Sequence, residues 1–462
     1  MKTYFQRRDL GNLRGLARFG ADRSGNVAML YALLLVVLMV SIGAAVDIGR
    51  WLHARDQTIS AVDAALLAGG RALQTNANDT AGAIAAAQEF YAQNVSSRIP
   101  VTGDSIAFQI GGDGMSMSAS GTAYIKTPFL QFASIDQLPL LSTAQTQFSQ
   151  AQLAVGGNGG QNIEIAMMLD ITGSMAGQKL QDLKDSASDL VNIVIWNDQS
   201  KFTSKVAIVP FSEDIRLPTS TALNKARGTT LPSSKSVSST TYYLSDCVVE
   251  RTGTQKYTDT APATGQYVMG HYTSSSTGSG SSKKGVCTVP TTAAIAPLSS
   301  DKQSLLAKTT SLSAAGGTAG HLGTAWAWYT LSPNWSSLWP ANAPAAYGAE
   351  NLEKIAILMT DGEYNTQYDS NGISVNQNAS SCPQAANGCS TAQARALCTA
   401  MKAKGIVVYT VGFQLGGNQT AIDTLNQCAT DSGKTYTADD GEQLKQAFRD
   451  IALKLTSLYL SK

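Results

Sequence analysis

The sequence predicts an α/β protein with a doubly wound, mostly parallel sheet and helices on both faces. Two observations predict this class. Short apolar segments alternate with amphipathic segments through the C-terminal two thirds, as strands and helices do in a covered parallel sheet. The amphipathic segments also have the three-to-four residue spacing of helices. The predicted strands span 162–169, 205–211, 354–359 and 406–413, and the predicted helices span 180–196, 301–312, 321–331, 392–404, 419–428 and 442–458.

An apolar run precedes this region near the start of the 462-residue chain. Residues 1–24 carry a net charge of +4, and no charged residue occurs from Ser24 to Val46. Twenty such residues span about 30 Å as a helix, the thickness of the hydrocarbon core of a bilayer. We therefore predict a cytoplasmic leader at 1–24 and a transmembrane helix at 25–46. A cleaved signal peptide, for which Gly43 and Ala45 offer small residues, and a buried core helix are the alternatives.

The charge pattern predicts how the chain is oriented. Basic residues on the N-terminal flank stay in the cytoplasm, so the rest of the chain is expected outside it. This predicts a single-pass protein of a bacterial inner membrane with its C-terminal region in the periplasm or at the cell surface. The whole chain has a net charge of +1, which gives no indication of a nucleic-acid partner.

Residues 47–155 predict a small α+β region. Apolar residues continue along one helical face up to a break expected at Gly69-Gly70, and a second helix is expected at 81–94. The period then changes to two, which predicts a hairpin of 106–110 with 115–117 and further strands at 121–126 and 142–148. A glycine-rich linker is expected at 156–161. The predicted helical face consists of Ile48, Trp51, Leu52, Ile59, Val62 and Leu66.

Residues 162–462 form the predicted α/β domain, with an insertion at about 213–300. The insertion is rich in Ser, Thr and Tyr and has no helical period. Because it would begin beside the carboxyl edge of the sheet, we expect it to form a rim or lid over any site there, and we expect its Ser/Gly run at 274–282 to be mobile.

Six cysteines, all after the apolar run, predict disulfides in an oxidising compartment. No CxxC pair accompanies them, which argues against a zinc cluster. Sequence alone does not determine the pairing. Neighbouring elements would bring Cys398 close to Cys428, and the further candidate pairs are Cys382–Cys389 and Cys247–Cys287.

Oxygen-bearing side chains follow two predicted strands and one loop. Asp170, Thr172 and Ser174 follow the first strand, Thr318 lies after Gly316-Gly317, and Asp361 follows the strand at 354–359. Loops after parallel strands converge at one crevice of a doubly wound sheet. Two carboxylates and three hydroxyls suit Mg²⁺ first, with Mn²⁺ or Ca²⁺ as alternatives, and suit Zn²⁺ poorly.

These residues resemble the metal-ion-dependent adhesion site of the von Willebrand factor A (VWA) family, whose pattern is Asp-x-Ser-x-Ser, a distant Thr and a distant Asp. Thr172 departs from the pattern but keeps the hydroxyl. The resemblance covers residues of about 160–460. It implies that Thr172, Ser174 and Thr318 coordinate a cation through hydroxyls, and that Asp170 and Asp361 act directly or through water. It also implies one open position for an acidic group of a protein partner.

The segment from Arg23 to Leu73 resembles a second family. Its basic leader, Gly-Asn-x-Ala motif, single apolar helix and following alanine-rich helix look like the TadE/TadG-like proteins of Flp (tight adherence) pilus assembly. Leu30 stands where cleavable pilins have Glu, so prepilin-type cleavage is not expected. With a C-terminal VWA domain, the chain resembles the TadG kind.

These resemblances imply a membrane-anchored pilus assembly or surface adherence protein. Such a protein binds a protein partner, among pilus or envelope components, through its metal site and is not an enzyme. A metal-dependent hydrolase is the first alternative, although the sequence offers no convincing general base or histidine ligand. A structural envelope protein that binds no metal is the second.

Overall fold

The computed structural model describes residues 26–75, 79–111, 116–141, 149–152, 161–196, 199–200, 202–376, 382–456 and 459–461. The chain divides into two compact units. The first comprises residues 1–69, 80–151 and 460–462, and the second comprises 70–79 and 152–459. The leader at 1–24 and nearly all of the linker predicted at 156–161 lie outside the described residues.

The longest helix, α1, runs from Asn26 to Thr75, and the first unit is built around its residues up to Gly69. The break predicted at Gly69-Gly70 is wrong, because α1 continues through both glycines. A side chain at Gly69 would meet Met117, since its Cβ would lie 2.5 Å from the Met117 Sδ atom. Gly69 therefore serves close packing, which costs helix propensity but does not end the helix.

A second helix and a small antiparallel sheet pack in the same unit. The predicted hairpin is present, with Ile110 opposite Met117, and its second strand includes the segment at 121–126 that the sequence indicated as a separate strand. The strand predicted at 142–148 lies outside the described residues. The elements are α2 (Thr80–Val95), β1 (Thr102–Ile110), β2 (Ser116–Lys126), β3 (Gln137–Pro139) and β4 (Ser149–Gln152), with the C-terminal β19 (Tyr459–Ser461) next to β4.

The face of α1 that packs in this unit agrees with the prediction only in part, because Val62 and Leu66 are buried and Trp51 and Ile59 pack against the core. Ile48 and Leu52 are exposed, and the buried stripe consists mainly of small residues. Small side chains allow another backbone to approach a helix closely. Because alanine and glycine are only weakly hydrophobic, a search for apolar residues at helical spacing does not detect such a stripe. The buried residues of α1 include Gly43, Asp47, Ala54, Thr58, Ala61, Val62, Ala65, Leu66, Gly69 and Leu73.

The second unit contains a six-stranded sheet with the order β13-β6-β5-β14-β17-β18. Five strands are parallel and the edge strand β13 is antiparallel to its neighbour. The strands are β5 (Asn162–Asp170), β6 (Ser204–Phe211), β13 (Ala296–Ser299), β14 (Leu352–Thr360), β17 (Val407–Phe413) and β18 (Thr435–Ala438). This confirms the predicted doubly wound, mostly parallel sheet.

Helices cover both faces of this sheet. Along β5, Ala166 and Met168 belong to one apolar core, while Ile165, Met167 and Leu169 belong to the other. Alternate side chains of a strand point to opposite faces, so β5 is buried on both sides, as its continuous apolar sequence predicted. The helices are α3 (Gln178–Val194), α5 (Lys302–Thr310), α6 (Gly320–Leu331), α7 (Ser390–Ala403), α8 (Gln419–Cys428) and α9 (Gly441–Leu455).

The insertion has secondary structure of its own, contrary to the expectation that it lacks a helix. Helix α4 (Ser220–Arg227) begins at Thr219, whose side chain accepts a hydrogen bond from the backbone N–H of Ala222. A second sheet surrounds β9, and the 274–282 run includes β11. Its strands are β7 (Ile215–Arg216), β8 (Ser234–Val237), β9 (Thr240–Val248), β10 (Gly270–Thr273), β11 (Ser276–Thr277) and β12 (Lys284–Gly285). The short hairpin of β15 (Thr366–Tyr368) with β16 (Ser374–Asn376) completes the unit.

The structure pairs the six cysteines in three disulfides. Their Cα–Cα distances are 5.5 Å for Cys247–Cys287, 5.1 Å for Cys382–Cys389 and 5.0 Å for Cys398–Cys428. These separations lie in the range that a disulfide needs. Each candidate pair named from the sequence is therefore the pair that the fold brings together.

Peptide mapping of the protein, produced under oxidising conditions and digested without reduction, is expected to recover these three pairs. The folded chain brings each pair together, and oxidation outside the cytosol would then join them. Reduction before digestion is the control, since it should release all three linked peptides as single ones. Recovery of six free thiols, or of pairs in another combination, would contradict the assignment.

Candidate metal centre

The five predicted ligand residues lie at the carboxyl edge of the main sheet. Asp170 is the last residue of β5, and Asp361 directly follows β14, its parallel neighbour. Thr172 and Ser174 occupy the turn after β5, where Gly173–Met175 form a short 3₁₀ helix. Adjacent parallel strands end at the same edge, and so two segments far apart in sequence bring their carboxylates together.

Hydrogen bonds join four of these residues in a continuous chain. The Thr172 backbone N–H donates to Asp170 Oδ1 at 2.9 Å, and the Thr172 and Ser174 hydroxyl oxygens lie 2.9 Å apart. The Ser174 hydroxyl then donates to Asp361 Oδ1 at 2.7 Å. Thr360, which the sequence did not single out, donates its hydroxyl to Asp170 Oδ2 at 2.7 Å. The carboxylates of Asp170 and Asp361 are thus joined through Thr172 and Ser174 of the turn after β5.

Thr318 reaches this edge through its backbone. The Gly173 N–H donates to Gly316 O at 2.9 Å, which ties the Thr318 loop to the turn after β5. Gly316 has a φ of +82°, and a Cβ there would lie 2.7 Å from Thr288, so only glycine fits. On the other side, the Thr318 N–H donates to Asn365 Oδ1 at 3.0 Å. Three loops are therefore fastened to one another around the site.

The charges at this centre favour a cation. Asp170 and Asp361 are both buried. Burial, together with the nearby charge of Asp361, raises the pKa of Asp170 to about 6. The ammonium of Lys179 lies 3.0 Å from Asp361 Oδ2 and provides one positive charge for two carboxylates. A buried pair of carboxylates with oxygen neighbours and incomplete charge compensation fits a divalent cation.

The centre lies at the wall of a cleft of about 780 Å³. The lid predicted from residues 215–300 is wrong for this cleft, because its lining includes none of them. The insertion instead contacts the Thr318 loop, where Gly317 N–H donates to Glu213 Oε2 at 3.4 Å. The lining residues are Ser174, Thr318, Asp361, Gly362, Glu363, Tyr364, Asn365, Gln367, Cys382, Cys389, Thr391, Ala392, Arg395, Thr420 and Asp423.

Sequence reasoning did not find this rim. Arg395 and Asp423 lie on helices α7 and α8, where a charged residue at helical spacing indicates only a solvated face. The Cys382–Cys389 disulfide holds one edge of the cleft. The spacing of these two cysteines, seven residues apart just before α7, was the signal for a constrained loop at that position.

A buried polar network resembles a catalytic triad but lacks access. His321 Nδ1 lies 2.6 Å from Ser390 Oγ, and its Nε2 lies 2.6 Å from Glu250 Oε2. Gln393 also donates to Glu250, at 3.0 Å. All four residues are buried, so no substrate reaches the serine in this fold. The network fastens Glu250 of the insertion to α6 and α7.

Comparison with known proteins gives one family match. Residues 25–72 match the model of the family described as Flp pilus-assembly TadE/G-like. No curated protein matches the chain. This match confirms the resemblance seen in the N-terminal sequence.

Solved structures that resemble the chain include two pilus proteins and one matrix protein. The vWF domain of the type V pili tip protein Mfa5 from Porphyromonas gingivalis is 13% identical, with 63% of this chain and 94% of that chain covered and a TM-score of 0.35. The pilus adhesin SpaC from Lactobacillus rhamnosus GG is 11% identical, with 66% and 31% covered and a TM-score of 0.36.

The third is proximal thread matrix protein 1 from the mussel byssus, with a zinc-occupied MIDAS motif. It is 12% identical, with 66% of this chain and 48% of that chain covered and a TM-score of 0.31. The chain thus joins a segment that matches the TadE/G-like Flp pilus-assembly family to a doubly wound, mostly parallel α/β unit.

Proposed function

We propose that this chain is a membrane-anchored, extracytoplasmic pilus assembly or adherence protein that binds a protein partner through a divalent cation. The observation that carries the proposal is the convergence of three loops on Asp170, Asp361 and their hydroxyl neighbours at the wall of a cleft. The family match at residues 25–72 supports the assignment to pilus assembly.

The proposed centre would hold the cation with oxygen atoms alone. The hydroxyls of Thr172, Ser174 and Thr318 would coordinate it, and Asp170 and Asp361 would act directly or through water. Mg²⁺ suits this donor set best, and Mn²⁺ and Ca²⁺ are alternatives. A cation held at the cleft wall supplies positive charge for an acidic group of the partner. The additional methyl of Thr172 leaves the hydroxyl available.

The anchor in this proposal is the N-terminal part of α1. The stretch Ala28–Leu73 contains a window of mean hydropathy 2.6 with only 6% of it buried, as a membrane-crossing helix requires. The +4 leader supports an orientation with the N-terminus in the cytoplasm. The second unit would then lie in the periplasm or at the cell surface, where its three disulfides are stable.

Partner capture from envelope extracts tests the function. The full chain in detergent should retain the same identified pilus or envelope protein in Mg²⁺ and release it in EDTA, and Asp361→Asn should capture it in neither. Capture that is unaffected by both EDTA and the substitution would favour a metal-free structural protein. Turnover of a hydrolysable substrate that disappears with Asp361→Asn would favour the hydrolase alternative.

The ammonium of Lys179 should oppose metal binding, because it lies 3.0 Å from Asp361 Oδ2 and would repel a divalent cation. Lys179→Met is therefore expected to raise the Mg²⁺ affinity by about tenfold, the size of a partly screened charge repulsion. Lys184→Met, a lysine further along α3, is the matched control. An affinity that is unchanged or lower in Lys179→Met would show that the cation does not bind beside Asp361.

A further inference from the structure

A loop of the first unit exposes large apolar side chains. It spans residues 127–135 between β2 and β3 and includes a 3₁₀ turn at Leu130–Ala133. Phe132 is 79% exposed, Phe129 43% and Ile135 41%. Three large apolar side chains exposed within seven residues are more than the scattered apolar residues of an ordinary surface.

Two contacts fix this loop against α1. A Cβ at Gly43 would lie 2.6 Å from the Phe129 ring, so the ring packs directly on the glycine. Asp47 is buried, and its Oδ2 accepts the backbone N–H groups of Phe129 and Leu130, both at 2.8 Å. These bonds satisfy the first N–H groups of the 3₁₀ turn, as an N-terminal cap does. The loop therefore lies beside residues 43–47 of α1.

This position coincides with the outer end of the apolar segment. Every residue of α1 from Ala28 to Ile42 is exposed, and Val46 is exposed as well. A helix that begins at Asn26 needs about 20 residues to cross the hydrocarbon core, which brings its outer end to the last turn before Asp47. Gly43 lies inside that stretch, so the loop attached to it is level with the membrane boundary.

The residues around the loop change from apolar to charged and amphipathic, as they do at a membrane surface. Exposed Lys126 and Asp136 flank it in sequence. One turn further along α1, the Trp51 indole N–H donates to Pro139 O at 2.7 Å, and the Arg55 guanidinium lies 5.9 Å from the Trp51 ring centroid. Tryptophan and basic residues just beyond an apolar span are typical of the interface between lipid and water.

We propose that the 127–135 loop inserts into the outer leaflet of the membrane that α1 crosses, with Phe132 and Ile135 in contact with lipid. The partner is thus the bilayer itself, bound by apolar side chains at the depth of the acyl boundary. This rests on the anchor of the proposed function. Asp47 has a positioning role, because it holds the loop at the depth of Gly43.

Lipid photo-crosslinking in the full chain tests the inference. A benzophenone amino acid is placed at Phe132, the chain is reconstituted in vesicles of phosphatidylethanolamine and phosphatidylglycerol, and lipid adducts are measured by mass spectrometry after irradiation. Leu34, within the proposed span, is the positive control. The yield at Phe132 is expected to approach that at Leu34 and to exceed that of a soluble position by at least about fivefold.

Phe90 is the matched negative control. It is 42% exposed and lies on α2, which runs beside α1. At one end of this stretch, Ala83 lies next to Gly69 of α1. At the other end, just after α2, Arg98 Nη1 donates to the hydroxyl of Thr58 of α1 at 2.8 Å. It therefore lies at least roughly 16 Å further from the apolar segment than the loop's attachment.

The outcomes separate the two proposals. Adducts at Leu34 and Phe132 but not at Phe90 support the inference. Adducts at Leu34 alone, or a Phe132 cross-link to a second copy of the chain in place of lipid, overturn it and leave the anchor intact. No lipid adduct at Leu34 overturns the anchor and the inference with it. Asp47→Ala should lower the yield at Phe132 and leave that at Leu34 unchanged.

Discussion

Asp361→Asn is expected to lower the Mg²⁺ affinity by at least about 100-fold, more than the loss seen for residues that only support a ligand. The substitution keeps one oxygen and the shape of the side chain but removes the negative charge. Asp361 is the better test position than Asp170, because its hydrogen-bond partners are the side chains of Ser174 and Lys179 at the proposed centre. Asp170 instead accepts hydrogen bonds from the backbone N–H of Thr172 and from Thr360, which hold the turn after β5. Loss of metal binding at Asp361 is therefore easier to separate from loss of structure.

Thermal unfolding with and without Mg²⁺ measures this effect. At Mg²⁺ near 100 times the wild-type Kd, the wild type should gain about 2.7 kcal/mol of stability, and the variant about 0.4 kcal/mol. Asp185→Asn, an exposed carboxylate on α3, is the matched control and should gain as much as wild type. Equal gains in wild type and Asp361→Asn would show that Mg²⁺ stabilises the chain elsewhere.

Lys354→Met is expected to destabilise the second unit by about 3–5 kcal/mol, because it leaves the buried carboxylate of Glu164 without its partner. The Lys354 ammonium donates to Glu164 Oε2 and, at 3.0 Å, to Leu331 O. Both charged residues are buried. Burial lowers the pKa of Lys354, and the charge of Glu164 acts in the opposite direction. The pair lies near the starts of β5 and β14, at the end of the sheet opposite the proposed metal centre.

Urea unfolding of wild type, Lys354→Met and Lys205→Met measures the loss of stability in each variant. It shows whether the loss is specific to the Lys354–Glu164 pair or follows from removing any lysine of the sheet. Lys205 is opposite Glu164 on the other neighbouring strand and is only half-buried, so its substitution should cost less than about 1 kcal/mol. The double variant Glu164→Gln with Lys354→Met should recover part of the loss. A Lys354→Met variant as stable as wild type would contradict a stabilising role for the pair.

The sheet and the placement of Asp170 and Asp361 at one edge of it were predictable from sequence because both follow from local patterns. Continuous apolar runs such as 162–169 indicated strands buried on two faces. The end of each run placed Asp170 and Asp361 at one edge, since parallel strands share their direction. The hydrogen bonds that join these residues required coordinates, because the rotamers of Ser174 and Thr172 are determined by three loops at once.

The errors arose where packing overrides local propensity. Gly69 and Gly70 indicated a helix end, but tertiary contact with Met117 favours glycine inside a continuous helix. Val62 and Leu66 of the predicted apolar face are buried, but Ile48 and Leu52 are exposed, and small residues fill most of the buried stripe. Alanine and glycine differ little in hydrophobicity from their neighbours in this helix. The sequence therefore does not show which side of the helix is buried, and this depends on the elements that pack against it.

The predictions for the insertion and for the rim of the cleft failed for a related reason. Many short strands rich in Ser and Thr lack a clear period, and β9 pairs with β7, β10 and β12 across longer stretches of chain, although it forms a hairpin with β8. The rim comes instead from the segment between β14 and α7, together with residues of α7 and α8. The sequence offered that segment only as a loop with two cysteines. Which loop covers a site depends on the directions of the chain as it leaves the strands, and these are not encoded in any single segment.

Calorimetric titration of Mg²⁺ into the full chain, stripped with EDTA and held in lipid nanodiscs, tests whether Asp361 and its neighbours bind a divalent cation. We expect saturable uptake of one ion per chain by wild type and by Asp185→Asn, and loss of this uptake in Asp361→Asn. No uptake of Mg²⁺ by the wild type, or uptake by Asp361→Asn equal to that of wild type, would contradict the metal centre.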